Sequence, residues 1–356
     1  MRYDTLCSTT DSAMGFKPEG IPVATKWSFI TRNVIPEDVA QVSMLPDRVP
    51  VSGDLILATV EGISQHPRIQ LRSGRRSLLY PGDTVVVAMG NRYAPDQFEA
   101  FVPQDLSGCH LVAAGGIVAR VTHRHSSMKP PTRLRPEGYC MGADGEVLNL
   151  NQYTLAERLP AKKLSCPVIA VLGTSMNSGK TTTAAALVRG FTAAGYRVAA
   201  IKATGTGAGN DLWAYEDCGA ALTLDFTDAG YPSTYKLPAD QILECFETLL
   251  GVASSHAETD LIVIEIADGL LHPETSDLVS SVSFQQKVSQ VIFSAGEAMG
   301  AIAGVERLNA MGICPVALSG VLSASKLSAD EAVSQTGIPV MTKEELGAAT
   351  VAALVE

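Results

Sequence analysis

Hydrophobic and polar positions change their rhythm near residue 160. From about 50 to 150, short β-type runs alternate with turns: "GDLILATVEGI" (53–63), "PRIQLRSGRRSLLYPGD" (67–83), "TVVVAMG" (84–90), "HLVAAGGIVARVTHRH" (110–125) and "GEVLNL" (145–150). Gly-Asp, Ser-Gly and Pro-Gly pairs punctuate them, as expected of strands joined by tight turns. "KPPTRLRP" (129–136) reads as an extended connector. The pattern predicts a compact β-rich, barrel-like domain over 1–160. From 165 to 356 the rhythm alternates. Apolar, β-branched runs "PVIAVL" (167–172), "RVAAIKA" (197–203), "DLIVIEI" (260–266), "QVIFSA" (290–295), "PVALSG" (315–320) and "IPVMT" (338–342) are separated by helix-patterned segments. Those segments include 180–194, 239–254, 297–311 and 343–355. Buried strands alternating with amphipathic helices predict a doubly wound α/β domain with a mainly parallel sheet.

The chain has 356 residues, 46% of them hydrophobic, enough for two cores. It contains no apolar run of 18 residues or more, so no membrane span is expected. The first residues, "MRYDTLCSTTDSAMG", lack the long apolar stretch of a secretory signal. Seven cysteines are scattered without a C-x-x-C pair, which suits reduced thiols and a cytoplasmic location. The net charge of −10 is uneven. Residues 1–163 carry 18 Lys and Arg against 16 Asp and Glu; residues 164–356 carry 9 against 21. So acidic a half does not suit nonspecific nucleic-acid binding. An anionic ligand must instead be held locally, by backbone N–H groups, a metal and a few lysines.

Such a place is "GTSMNSGKTTT" (173–183), between "PVIAVL" and a helical segment. Strand, glycine turn, Gly-Lys-Thr and helix form the order of a phosphate-binding loop. Five residues, not the usual four, separate Gly173 from Gly179. A glycine turn alone is common; Lys180 followed by Thr181 and Thr182 tips the reading to phosphate. Glycine lets the backbone approach phosphate oxygens, and exposed N–H groups at a helix start attract the anion. The candidate nucleotide-binding set is Gly173, Thr174, Asn177, Ser178, Gly179, Lys180, Thr181 and Thr182. Lys180 suits the β- and γ-phosphates, and the Thr181 hydroxyl suits Mg²⁺.

The longer loop, with polar residues inside it, resembles dethiobiotin synthetase and its relatives among the P-loop amidoligases. The likeness covers roughly 166–345. It implies a phosphate-reaching lysine after the second strand, which "VAAIKATGTG" offers as Lys202. It implies a Mg²⁺-ligating aspartate a short loop later, offered as Asp211 in "GAGNDLWAYED", and a strand-end glutamate, offered as Glu265 in "LIVIEIADGLLHP". The segment "SAGEAMGAIAGVERLNAMGICPVALSGVL" (294–322) resembles the family's glycine turn, helix and following strand. Carried over, Lys180, Lys202 and Glu265 are catalytic, and Thr181, Asp211 and Glu265 hold the metal. The implied activity uses ATP and Mg²⁺ to phosphorylate a small-molecule carboxylate or carbamate, followed by amide or ring formation. The substrate is then a small acid or amino acid, and the enzyme a homodimer. A small-molecule kinase and a regulatory nucleotide-binding module are the alternatives. "EIADG" replaces the family's glycine-rich E-G-A-G-G, "SGVLS" lacks an adenine-reading asparagine, and the first domain has no counterpart. Substrate and base preference therefore stay open.

The strand ends of a doubly wound sheet converge on one crevice, so Thr181, Asp211 and Glu265 should meet there. Lys202, with no carboxylate beside it in sequence, should be free to follow the phosphate. Asp211 equally suits a first-turn acid of the next helix. Asp268 is a second candidate for the Glu265 role, and His272 faces either substrate or solvent. In the first half, His123 and His125 share a strand face without a third ligand. Arg68, Arg72, Arg75 and Arg76 surround a hairpin that is either a solvated turn or an anion patch. "GNRYAPDQFEA" (90–100), with Asn91, Arg92, Tyr93, Asp96 and Gln97, reads as a ligand or interface loop.

Overall fold

A computed structural model describes residues 20–155, 164, 166–256 and 259–355. The linker between the two sequence textures falls largely outside these residues, so the boundary at 160–165 is not described. Among the described residues, the first half holds eleven strands: β1 (Lys26–Trp27), β2 (Gln41–Ser43), β3 (Leu55–Gly62), β4 (Arg68–Gln70), β5 (Arg76–Leu78), β6 (Thr84–Met89), β7 (Arg92–Tyr93), β8 (Phe98–Phe101), β9 (Cys109–Ala113), β10 (Ile117–Arg124) and β11 (Thr132–Met141). Five of them form a closed ring. β6 pairs with β3, β3 with β11, β11 with β9, β9 with β10, and β10 returns to β6 in parallel. Closure removes free edges from these strands. Alternate residues feed two separate clusters: Leu55, Leu57, Val86 and Ala88 in one, Ile56, Ala58, Val85 and Val87 in the other. Both faces of the ring are therefore buried. The hairpins β7–β8 and β4–β5 project from it.

The supposed connector at 129–136 is mostly strand. β11 runs through it, bracketed by β3 and β9. Its Thr132 and Leu134 are buried while Arg133 and Arg135 point outward. Pro136 is accommodated because the ladder shifts register between Pro136 and Gly138, and a bulge tolerates a residue that cannot donate.

The second half is an α/β domain on a six-stranded, fully parallel sheet. The strands are β12 (Val168–Gly173), β13 (Val198–Lys202), β14 (Leu222–Asp225), β15 (Leu261–Glu265), β16 (Gln290–Ser294) and β17 (Ala317–Ser319), in the order β14-β13-β15-β12-β16-β17. Helices α1 (Lys180–Ala193), α2 (Asn210–Asp217), α3 (Ala239–Ser255), α4 (Pro273–Ser280), α5 (Val282–Lys287), α6 (Ala298–Ala310), α7 (Lys326–Thr336) and α8 (Lys343–Leu346) surround it. Side chains alternate along each strand into two cores. Ile169 and Val171 meet Leu187 and Phe191 of α1, while Ala170 and Leu172 join the core of α3 and α6. The run 338–342 contributes only a single bridge, Leu318 to Val340, and 145–150 only bridges at Val147 and Asn149. The helix expected over 343–355 breaks at Gly347 into α8 and a 3₁₀ segment, Ala349–Leu354.

The two halves share contacts as intimate as a core. Phe29 packs into the α1–α2 cluster, its ring 5.9 Å from that of Trp213. A Cβ at Gly115 would stand 2.0 Å from the carbonyl oxygen of Gly207, so the barrel's β9–β10 turn touches the backbone after β13. Among the described residues no helix is long and apolar enough to cross a membrane.

Candidate functional site

β12 ends at Gly173 and α1 starts at Lys180, so the phosphate loop joins the middle of the sheet to a helix N-terminus. Gly179, the residue before α1, has φ of 97°. A Cβ there would lie 2.8 Å from Gly320 Cα, so both conformation and space call for glycine. The loop is pinned from outside: Thr174 N donates to Ser294 O, and Val321 N donates to Ser178 O. Lys180 is 5% exposed, and its Nζ donates to the loop's own Ser175 O at 2.7 Å. Burial lowers its pKa against the pull of Glu265. Ser178 Oγ is buried with no hydrogen-bond partner among the described residues. An orphaned hydroxyl, a lysine resting on its own loop and a glycine cradle fit a phosphate group. Thr174 is partly exposed, Asn177 and Thr182 are exposed.

Thr181, Lys202, Asp211 and Glu265 do meet. Thr181 Oγ1 donates to Glu265 Oε1 at 3.2 Å, and Lys202 Nζ lies 3.9 Å from the same oxygen. Glu265 is 2% exposed at the end of β15, next to Lys202 in register. The expectation of an unattached Lys202 is corrected: its ammonium is paired with Asp211 on the first turn of α2. Asp211 is thus both a first-turn acid and a lysine partner. Burial works against the Lys202 charge, but Glu265 and Asp211 outweigh it and raise the pKa. Sequence reasoning missed Tyr215, four residues after Asp211 and on the same face of α2. Its hydroxyl donates to the second oxygen of Glu265, and burial with Glu265 nearby pushes its pKa well up. Asp268, held at φ of 64°, stands close enough to Lys180, Lys202 and His272 to feel their charges.

The loop at 90–100 is an interface loop. Asp96 Oδ2 accepts from Asn177 Nδ2 of the phosphate loop at 3.2 Å. Asn91 Nδ2 donates to Tyr235 O at 3.3 Å, and Tyr235 OH donates to Glu99 Oε1 at 2.8 Å. Arg92 is buried and donates to Gln97, and Tyr93 stacks near Tyr235 and His272. His272 is partly exposed as a residue, but its side chain is only 8% exposed. A second junction was invisible in the sequence: Arg32 Nη2 donates to Asp225 at 2.7 Å and Asp228 at 2.8 Å. The arginine hairpin serves structure in part. Arg72 donates to Arg32 O and Val34 O, and Arg76 to Asn210 Oδ1; Arg68 and Arg75 are exposed. His123 sits on Glu99 and His125 on Ser127. No group of three potential metal-ligating His, Cys, Asp or Glu side chains occurs among the described residues.

These features define an α/β domain with a P-loop, joined to a β-barrel. A sequence-family profile described as a domain of unknown function (DUF1611_C), P-loop domain, matches residues 156–210. No curated protein matches the chain in sequence. Among solved structures, the 54 kDa signal recognition particle protein of Aeropyrum pernix in complex with GDP is similar at 20% identity and a TM-score of 0.36. The match covers 56% of this chain and 47% of that one. The signal recognition particle receptor FtsY of Elizabethkingia anophelis in complex with GDP is similar at 20% identity and a TM-score of 0.35, over 51% of this chain and 58% of that one. FtsY of Mycoplasma mycoides gives 18% identity and a TM-score of 0.34, over 51% and 60%. The chain spans less than two thirds of each of these proteins.

Proposed function

We propose that the chain is a Mg²⁺-dependent enzyme that transfers the terminal phosphoryl group of ATP to a small carboxylate or carbamate and then forms an amide or ring. One observation carries the reading. A phosphate loop, a second, partly buried lysine and a buried glutamate meet at neighbouring strand ends, with Thr181 Oγ1 and Lys202 Nζ at 3.2 and 3.9 Å from Glu265 Oε1. Thr181 and Glu265 would hold Mg²⁺, which supplies charge neutralisation on the phosphates. Lys180 would exchange the Ser175 carbonyl for a phosphate oxygen. Asp211 leashes Lys202, fixing the ammonium where charge develops on the transferring group, so that its electrostatic help needs no rearrangement. Tyr215 orients Glu265 from behind.

A screen of carboxylic and amino acids for ADP release, with and without amines, tests this. ADP, inorganic phosphate and a new amide support the ligase; ADP with a stable phosphorylated product makes the enzyme a kinase. Running the screen with ATP and GTP in parallel settles the base. A second reading has one observation in its favour. Both oxygens of Glu265 are engaged by Thr181 and Tyr215, and Lys202 by Asp211, so these polar groups are satisfied without an added ion. A nonhydrolytic nucleotide-binding module would bind nucleotide and show no acid-dependent turnover.

A further inference from the structure

Beside the phosphate site, the β7–β8 hairpin and the second half enclose a small aromatic patch. The Tyr93 ring lies 4.7 Å from His272 and 5.3 Å from Tyr235, and Tyr235 lies 5.7 Å from His272. The Tyr235 face accepts a positive charge, with Lys236 Nζ 5.2 Å from its centroid. His272 precedes α4 and is more than nine-tenths buried, and its Nε2 has no hydrogen-bond partner among the described residues. Its Nδ1 lies 2.7 Å from Glu274 Oε2, in contact but without an aligned hydrogen bond. Glu274 is fixed in turn, its Oε1 accepting from Lys236 N at 2.5 Å.

Backbone strain gathers at the same place. Among the described residues only Asn177, Lys236 and Asp268 are non-glycine residues with positive φ, at 65°, 64° and 64°. Asn177 holds the hairpin through Asp96, Lys236 holds Glu274, and Asp268 lies near enough to His272 and the lysines of the phosphate site to interact with them electrostatically. Such conformations are strained for residues with a Cβ and cluster where a ligand is clamped.

A buried imidazole with one nitrogen against a carboxylate and the other bare is the arrangement of a general base and the group that orients it. Imperfect alignment in the free protein is usual and tightens when substrate seats. The patch also has what a cation needs: aromatic faces and the Asp268 carboxylate. We infer that this patch is the acceptor subsite of the enzyme, taking an amine-bearing small molecule, with His272 Nε2 as general base and Glu274 as its positioning residue. The inference rests on the ligase reading above. The ammonium seats on Asp268 and the tyrosine faces and gives one proton to His272 Nε2. The freed nitrogen lone pair forms a bond to the acyl carbon, and the bond from that carbon to the phosphate oxygen breaks. Phosphate leaves with the electron pair and takes the second proton from the nitrogen, so that a neutral amide and hydrogen phosphate result.

The test uses the full chain with ¹⁵N-labelled histidines, of which there are six, and ethylamine as the probe. His272→Gln assigns the resonance. The wild type should show a neutral His272 with its proton on Nδ1. Ethylamine should shift the Nε2 resonance saturably, and Tyr93→Ala should weaken that response about tenfold. Glu274→Gln should move the proton between the ring nitrogens, which a merely structural Glu274 would not do. A proton on Nε2 in the wild type, or an Nε2 resonance that ethylamine leaves unmoved, overturns the proposal without needing any variant to fold. Once a carboxylate substrate is found, His272→Gln should slow amide formation by about 10²–10⁴-fold while acid-dependent ADP release persists. Amide formation at the wild-type rate in that variant removes His272 as base and leaves the ligase reading standing. Saturable ethylamine binding with no acid-dependent ADP release does the reverse.

Discussion

The barrel meets the P-loop domain at two junctions built on different terms. At the β14 edge, Arg32 reaches across to Asp225 and Asp228, whose side chains are only 2% and 7% exposed. One guanidinium faces two carboxylates, Asn33 adds a bond to Asp228, and the Arg32 guanidinium also lies over the Phe29 ring at 4.4 Å. At the β7–β8 hairpin the contacts are aromatic rings, a partly exposed carboxylate and a histidine with one bare nitrogen, among strained backbone positions. The Arg32 junction pairs its buried charges, although Arg32 Nη1 has no hydrogen-bond partner among the described residues. The hairpin junction leaves His272 Nε2 without a partner among the described residues and touches the phosphate loop through Asn177, which is where the acceptor subsite is proposed.

The largest effect should come from unmatching the first junction. Arg32→Ala leaves two buried carboxylates facing each other and should cost about 3–5 kcal/mol of stability, read by denaturant unfolding. The loss should depend on pH. Burial raises the Asp225 pKa in the folded protein even with Arg32 present. A carboxyl whose folded pKa exceeds its unfolded value weakens the fold as pH rises through that range. The variant should therefore regain stability as pH falls from 7 toward about 4. A pH-independent deficit would mean that packing against Phe29, not charge, holds this junction.

Changes at the strand ends come next, and should reverse the pattern by sparing the fold. Glu265→Gln keeps an oxygen for the Thr181 hydroxyl and should lose about 10²–10³ in turnover with little change in melting temperature. Loss of fold in this variant would show that the glutamate is chiefly structural. Tyr235→Phe removes one interdomain hydrogen bond to Glu99 and should cost about 0.5–1.5 kcal/mol. Asp96→Ala removes an exposed contact to Asn177 and should cost under about 0.5 kcal/mol. A larger loss from Asp96→Ala would make the hairpin as cohesive as the Arg32 junction and erase the contrast between them.

The sequence made the P-loop half readable because its signals are local. Gly173, Gly179 and Lys180 lie within eight positions, and Lys202 and Glu265 each end an apolar run, which fixes them at one rim of a parallel sheet. What stayed hidden depends on how separate elements pack. The Lys202–Asp211 pair follows from how the first turn of α2 packs against the end of β13, and no spacing encodes that. β14 went unseen because "LTLD" is four residues long in a turn-rich stretch. β11 was obscured by Pro130 and Pro131 just before it and by Pro136 within it, where the register shift accommodates the missing donor. Arg32 and Asp225 are 193 positions apart, and nothing in either neighbourhood names the other.

The central claim is that the loop from Gly173 to Thr182 holds a nucleotide's phosphates with Lys180 as the charge that closes on them. Thermal unfolding of the full chain with ATP, GTP and ADP, each with and without Mg²⁺, tests it most directly, because a ligand that binds only the folded state raises the melting temperature by mass action. The wild type should gain stability with a nucleotide and gain more with Mg²⁺, and Lys180→Ala should lose most of that gain while melting near the wild-type temperature without ligand. An equal shift in wild type and variant, or no shift with any nucleotide, would contradict the account.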